Sequence, residues 1–284
     1  MATNYGIRTA TFLDKRLKVG SSVAQYLDAN GVNTNDAQTV RVLNIDIDSS
    51  SLSAYDETAV SQTVTLAEYG KQDLTLDYNY FVFLRIQDTQ VQDVPVGNLV
   101  KDTAQAWIDE KFVPDFDEYA LAKIIAARPS GNIVTWDGTS NTLLAKFYAT
   151  VTKVSNNGGT NANMIAFVPA TFADSIRGFI TTFDGSNLGY TAGVNGVLGK
   201  LKGVMLVETV DSYFSSYPTV KAVVVDKRAV AAPTMKMTPR NGGRKFIKDV
   251  PGFGGSELQL RARGGVFVLN RKANAIATLQ SSNS

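Results

Sequence analysis

One stretch, Thr39 to Ala127, limits what the chain can fold into more than any other. From Thr39 to Asp48, Val40 and Val42 and then Ile45 and Ile47 alternate with polar neighbours. Alternation places one residue set on each face of a strand. The phase slips at Leu43-Asn44, which predicts a bulge. A polar tip, Ser49 to Thr58, separates this run from a return leg, Gln62 to Arg85, that carries Val64, Leu66, Leu74, Leu76 and Tyr80 to Leu84. Each strand residue adds about 3.3 Å, so the two legs form an arm too long and thin to bury a core of its own. It is expected to lie on another surface, and a second copy of the chain can supply one.

The stretch ends in a helical pattern. Between Val96 and Ala127, the apolar residues Leu99, Ala104, Trp107, Ile108, Phe112, Phe116, Tyr119, Ala120 and Ile124 recur at steps of three and four, the spacing of one helix face. Pro114 removes a backbone donor and predicts a kink or break near the middle. Pro129-Ser130-Gly131 ends the helix.

A two-stranded arm feeding a long helix carries a resemblance. The order Val64-Thr65-Leu66, Leu74-Thr75-Leu76-Asp77, Phe81-Val82-Phe83, Asp88 and Val113-Pro114-Asp115-Phe116-Asp117-Glu118-Tyr119 resembles the major capsid proteins of tailed bacteriophages. Their Hong Kong 97-type fold is shared by encapsulin shells. The resemblance runs from about Thr39 to Leu279. It implies an α+β chain in which residues 1–38 are an N-arm that docks on a neighbour and 39–90 an E-loop hairpin. Residues 91–162 and 232–284 would form a discontinuous P-domain whose spine helix covers about 96–127. Residues 163–231 would be an inserted A-domain.

Composition narrows the function classes. The 284 residues are 44% hydrophobic and 19% charged, with a net charge of +2, ordinary for a folded protein and too weak for a dedicated nucleic-acid binder. There is no Cys, hence no disulfide and no thiolate nucleophile or ligand. There is no His, which removes the usual general base and most zinc sites. No apolar run approaches the roughly 18 residues that a membrane helix needs, and Met1 to Gly6 lacks a secretory pattern. The chain begins at Met1 with no long acidic helical segment ahead of the arm, so a scaffold encoded separately is expected.

The rest of the chain reads as alternating elements. Leu17 to Leu27 forms a short helix ended by Asn30-Gly31, and Leu143 to Val154 a helix or strand. Met164 to Pro169 is a short buried strand followed by a helix over Ala170 to Ile180. Residues 181–202, rich in Gly and Asn, form a loop that the resemblance places near the fivefold and sixfold centres. Gly203 to Val207 and Val220 to Val225 are further buried strands. Glu257 to Arg263 alternates, Gly264-Gly265 turns, and Val266 to Leu269 completes a hairpin. Ala273 to Leu279 is the last strand.

Motifs with chemical content are incomplete. Asp46, Asp48, Ser50 and Glu57 fit positions of a calcium loop, but Ser51 stands where the loop requires Gly. Gly193, Gly196 and Gly199-Lys200 miss the phosphate-loop spacing, and Gly242-Gly243-Arg244-Lys245 misses it too. Asp109, Glu110, Asp115, Asp117 and Glu118 crowd one helix rather than face each other across a cleft, as a glycosidase requires; they read as a solvated or ion-paired face. Some members of the resembled family cross-link an E-loop lysine to a neighbour's Asn beside a buried Glu. Lys71 is the only lysine of the arm, and no Asn or Glu partner is identifiable.

Charge is segregated. Acids dominate from Asp88 to Glu118 and bases from Lys236 to Lys272, and the two runs are expected to meet within or between copies. The contacts between copies are expected at Leu52, Tyr55, Leu66, Tyr69, Lys71 and Leu74 of the arm, at Asp109 and Glu110, and at Arg240, Arg244 and Lys245. The resemblance implies a non-enzymatic shell protein without cofactor or metal. It would assemble as hexamers and pentamers of a capsid with a portal and a scaffolding protein. It would touch packaged double-stranded DNA only non-specifically and no membrane, and would pass from host cytoplasm to virion. The alternatives are an encapsulin-like compartment, a carboxylate-based hydrolase, and a tail-tube or decoration protein. The last would be nearly all β.

Overall fold

The computed structural model describes residues 23–27, 39–46, 68–87, 103, 105–183, 197–237, 244–247 and 255–282. The arm is a hairpin of β1 (Thr39–Asp46) and β2 (Glu68–Thr75), antiparallel and in unbroken register from Thr39 opposite Thr75 to Asp46 opposite Glu68. The slip at Leu43-Asn44 is therefore no bulge. The regular pleat continues and Leu43 faces solvent. Among the described residues of the return leg, only those of β2 pair with β1. After Leu76 and Asp77 the chain starts β3 (Tyr78–Gln87), which leaves β1 and pairs with a strand near the C-terminus.

The helix follows the expected face, and the proline does not break it. Helical residues 105–107 lead through a π-helical turn, Ile108–Phe112, into α1 (Val113–Ala127). The Val113 N–H donates to Ile108 O, a five-residue step taken just before Pro114, the residue with no N–H to give. The π-helical turn directly ahead of Pro114 is where the helix takes up the missing donor. Phe116, Ala120, Leu121, Ile124 and Ile125 form its buried face.

A six-stranded sheet makes the larger layer, with order β4 (Ile133–Trp136), β12 (Ile276–Ser281), β8 (Val220–Asp226), β5 (Met164–Pro169), β7 (Val204–Thr209) and β6 (Val197–Leu201). Every residue of β5 is buried, as a near-continuous apolar run requires. Helices α2 (Ser140–Asn156) and α3 (Ala170–Phe183) pack on it and on each other. The sheet draws β4 and β12 from outside the 163–231 segment that sequence set apart as an insert. β6 lies inside the stretch read as a loop; residues 184–196 of that stretch lie outside the described residues.

The second sheet holds β9 (Val230–Met237), β10 (Arg244–Ile247), β11 (Gly255–Val268) and β3, with β11 at its centre. The expected turn at Gly264-Gly265 is absent. β11 runs straight through both glycines and takes up a bulge between Gly265 and Phe267 opposite β9. Gly265 is needed for another reason. A Cβ there would stand 3.0 Å from Phe267 Cζ and 3.1 Å from Leu76 Cδ2, so its absence lets the arm's root close on the sheet.

Candidate assembly interface

The hairpin alternates as its sequence dictates. Val42 and Leu74 turn toward the chain's own body, while Arg41, Leu43, Lys71 and Asp73 turn to solvent. Leu74 and Leu76 are buried with Ala231 and Phe267, and Val42 and Leu269 pack against that cluster. The Gln72 amide donates to Val268 O at 2.9 Å and to Asn270 Oδ1 at 3.0 Å, and the Asn270 N–H donates to Gln72 Oε1 at 3.1 Å. The base of the arm thus satisfies itself on its own chain, against the expectation that the whole arm needs a second copy. Leu74, expected at a contact between copies, is 4% exposed; its apolar surface is already used within the chain.

Where the arm meets the body, carboxylates fix it to the helix. Asp77, between β2 and β3, accepts hydrogen bonds from Tyr119 Oη and Lys123 Nζ. Burial pushes its carboxyl up, but these donors outweigh that and hold it below the usual carboxylate range. Tyr78 Oη donates to Asp115 Oδ2 at 2.8 Å. Burial first, and then Asp115, pushes the Tyr78 phenol far above its ordinary value. On the arm, Arg41 Nε donates to Asp73 Oδ1 at 2.6 Å, across directly opposed positions. That bond holds the Asp73 carboxyl down and the guanidinium up.

Asp117 departs furthest from the solvated helix face read from sequence. It is fully buried and accepts from the backbone N–H groups of Val23, at 3.3 Å, and Ala24, at 3.1 Å. Val23 and Leu27 are themselves buried in the main core. One carboxylate thereby ties a segment 93 residues away to the middle of α1. Next along the helix, Glu118 accepts from Ser215 Oγ at 2.7 Å. Asp115, Asp117 and Glu118 each face a different donor group, so they do not converge on a shared substrate position. Sequence could not distinguish Asp117 from its acidic neighbours, because the groups that donate to it lie in a distant segment.

The remaining expected contact residues are scattered. Leu52, Tyr55, Leu66 and Arg240 lie outside the described residues. Tyr69 stands in β2 opposite Ile45, and Lys71 is exposed opposite Leu43. Arg244 and Lys245 lie in β10, opposite Leu260 and Gln259. Asp109 and Glu110 are half-buried on the π-helical turn, where Asp109 accepts from Gln105 Nε2 at 3.0 Å. The ion pairs Arg41–Asp73, Lys123–Asp77, Arg177–Asp174, Arg177–Glu208 and Arg228–Asp226 all lie outside the two charged runs. Gly199-Lys200 belongs to β6 rather than to a phosphate loop, and no group of three potential metal ligands occurs among the described residues.

No family model matches the sequence, and no curated protein sequence does either. Solved structures do match in shape. A chain from Mycobacterium phage Che8 is 14% identical, with 98% of each chain covered and a TM-score of 0.68. One from the capsid structure of cyanophage P-SCSP1u is 12% identical, covering 99% of this chain and 94% of that one, with a TM-score of 0.70. One from the capsid of a native GTA particle is 14% identical, covering 99% and 96%, with a TM-score of 0.65. These likenesses show the fold, which is that of the capsid chains and agrees with the Hong Kong 97-type architecture that the sequence resembles.

Proposed function

We propose that this chain is the structural subunit of an icosahedral capsid shell, the major capsid protein of a tailed phage, and that its work is assembly rather than catalysis. The supporting observation is that its fold follows chains taken from assembled capsids along nearly their whole length. A shell subunit needs several contacts of modest strength, because each copy engages many neighbours at once and their effects compound. In this reading the part of the arm beyond its root, within residues 39–90, lies across an adjacent copy, and residues 1–38 reach a neighbour. The stretch 181–202 of the 163–231 unit gathers at the axes of hexamers and pentamers. A portal and a scaffolding protein complete assembly in the host cytoplasm, and double-stranded DNA is held by non-specific contacts. The acidic 88–118 and basic 236–272 runs meet between copies, so assembly yield falls as salt screens them.

Negative-stain microscopy of the purified chain tests the proposal, with closed shells, tubes or capsomers as the expected result. Compact monomers at every concentration and salt would refute it. An assembly yield that is the same at low and high salt would remove the charge contact while leaving the shell.

A further inference from the structure

The second sheet has one face on the core and one away from it. Leu260 and Ala262 of β11 are buried in the main core, and Val82 and Leu84 of β3 pack against it. Helix α1 lies against β11. Alternation turns the intervening positions to the other face. There Phe81 is 69% and Phe83 54% exposed, and their rings meet edge to face with centroids 5.2 Å apart. A contiguous apolar patch with a polar rim marks an interaction site more often than single exposed apolar residues do.

The other positions of that face are rich in cations. Directly opposed residues of paired strands share a face. Arg263 stands opposite Asn79, Arg261 opposite Phe81, Gln259 opposite Phe83 and Glu257 opposite Arg85. Lys245 stands opposite Gln259 on one side of β11, and Lys236 opposite Arg263. Arg85, Arg261, Arg263, Lys245 and Lys236 therefore occupy the face that carries the two rings, and Glu257 is the one acid at these opposed positions. Arg261 is exposed, and its Nε donates to Asn79 Oδ1 at 3.0 Å, which fixes the guanidinium beside β3. The net charge of +2 for the whole chain conceals this local excess.

We infer that this face binds single-stranded nucleic acid, with Phe81 and Phe83 as the stacking platform and Arg261 at the centre of a row of cationic positions that follows the phosphates. An unpaired strand offers both things the face is built to take, flat bases for the rings and phosphates for the cations. A duplex keeps the flat sides of its bases inside its own stack, so it can meet the cations but not the rings. An acidic polypeptide likewise satisfies the charge and leaves the rings without a flat partner. The inference goes beyond the shell reading, which asks only for non-specific contact with double-stranded DNA, and does not depend on it.

The full chain, separated by size into assembled and unassembled fractions, is titrated into a labelled oligothymidylate of about 20 nucleotides, longer than the roughly 4–16 that such a platform covers. A duplex of the same length and polyglutamate serve as competitors. The single strand should bind more tightly than either. Phe81→Ala and Phe83→Ala should each weaken it about tenfold at the wild-type melting temperature, because both rings are exposed. Arg261→Ala should make the slope of log affinity against log salt shallower by about 0.7. No binding in any fraction would overturn the inference, as would phenylalanine variants that bind like wild type or a duplex that binds as tightly as the strand. Polyglutamate binding as tightly as the strand would also overturn it and would fit the acidic run of another copy instead. All of these leave the shell reading standing if negative stain shows the same preparation assembled. A chain that binds the strand as predicted but never assembles would bring down the shell reading alone.

Discussion

Replacing Asp117 by Ala should release residues 23–27 from the helix. The carboxylate is fully buried and receives two backbone N–H groups. A hydrogen bond to a charged group contributes about 1.5–3 kcal/mol net. Both bonds are long, at 3.3 and 3.1 Å, and the cost of burying the charge disappears with the carboxylate, so the low end applies to each. Together they amount to about 3 kcal/mol, roughly two powers of ten in the docking equilibrium. Without them the amides of Val23 and Ala24 are either buried and unpaired or drawn back to water, and the second is the easier outcome for a short segment. Hydrogen-exchange mass spectrometry on a peptide covering 23–27 should show about a hundredfold faster exchange in D117A. Asp117→Asn keeps one acceptor oxygen and should give about tenfold. Protection in D117A equal to wild type would refute the assignment, since the segment would then be held by Val23 and Leu27 alone.

Three further outcomes concern the root of the arm. Leu74→Ala empties part of a small cluster near the surface and should lower unfolding stability by about 2 kcal/mol, the low end for such truncations, read as a lower urea midpoint with unchanged slope. Gly265→Ala forces a methyl against Phe267 and Leu76 and should cost about 1–3 kcal/mol. Adding Leu76→Ala should then cost less than the sum of the single changes. Because Asp77 is held below the usual carboxylate range, the stability it adds is complete above its unfolded pKa of about 3.9 and is lost as pH falls through the lower folded value. Its side chain is 46% exposed, so the effect is at most about 0.5 kcal/mol. The melting difference between wild type and Asp77→Asn should be constant from pH 7 to 5 and vanish toward pH 2; a gap that widens in acid would contradict the sign.

What periodicity carries was legible in the sequence. Met164 to Pro169, Ala170 onward and Val220 to Val225 appear as the strand, helix and strand their patterns predict, because the repeat of apolar residues is a local property that burial only ratifies. The helix over 105–127 was legible for the same reason, and the proline altered one turn of it rather than its course. Pairing partners were not legible. That β3 abandons the hairpin for β11, that Gly264-Gly265 continues a strand, and that β4 joins the 164–226 strands through β12 all depend on which edges compete in space. No single segment carries that information. Burial of polar groups was hidden likewise. Asp117 and Glu118 are adjacent acids in the sequence, yet one of them is a core residue that accepts hydrogen bonds from a segment at the far end of the chain. Leu43 shows the converse. Its break in the alternation was visible from the start, but only the intact register showed that the misfit points to solvent.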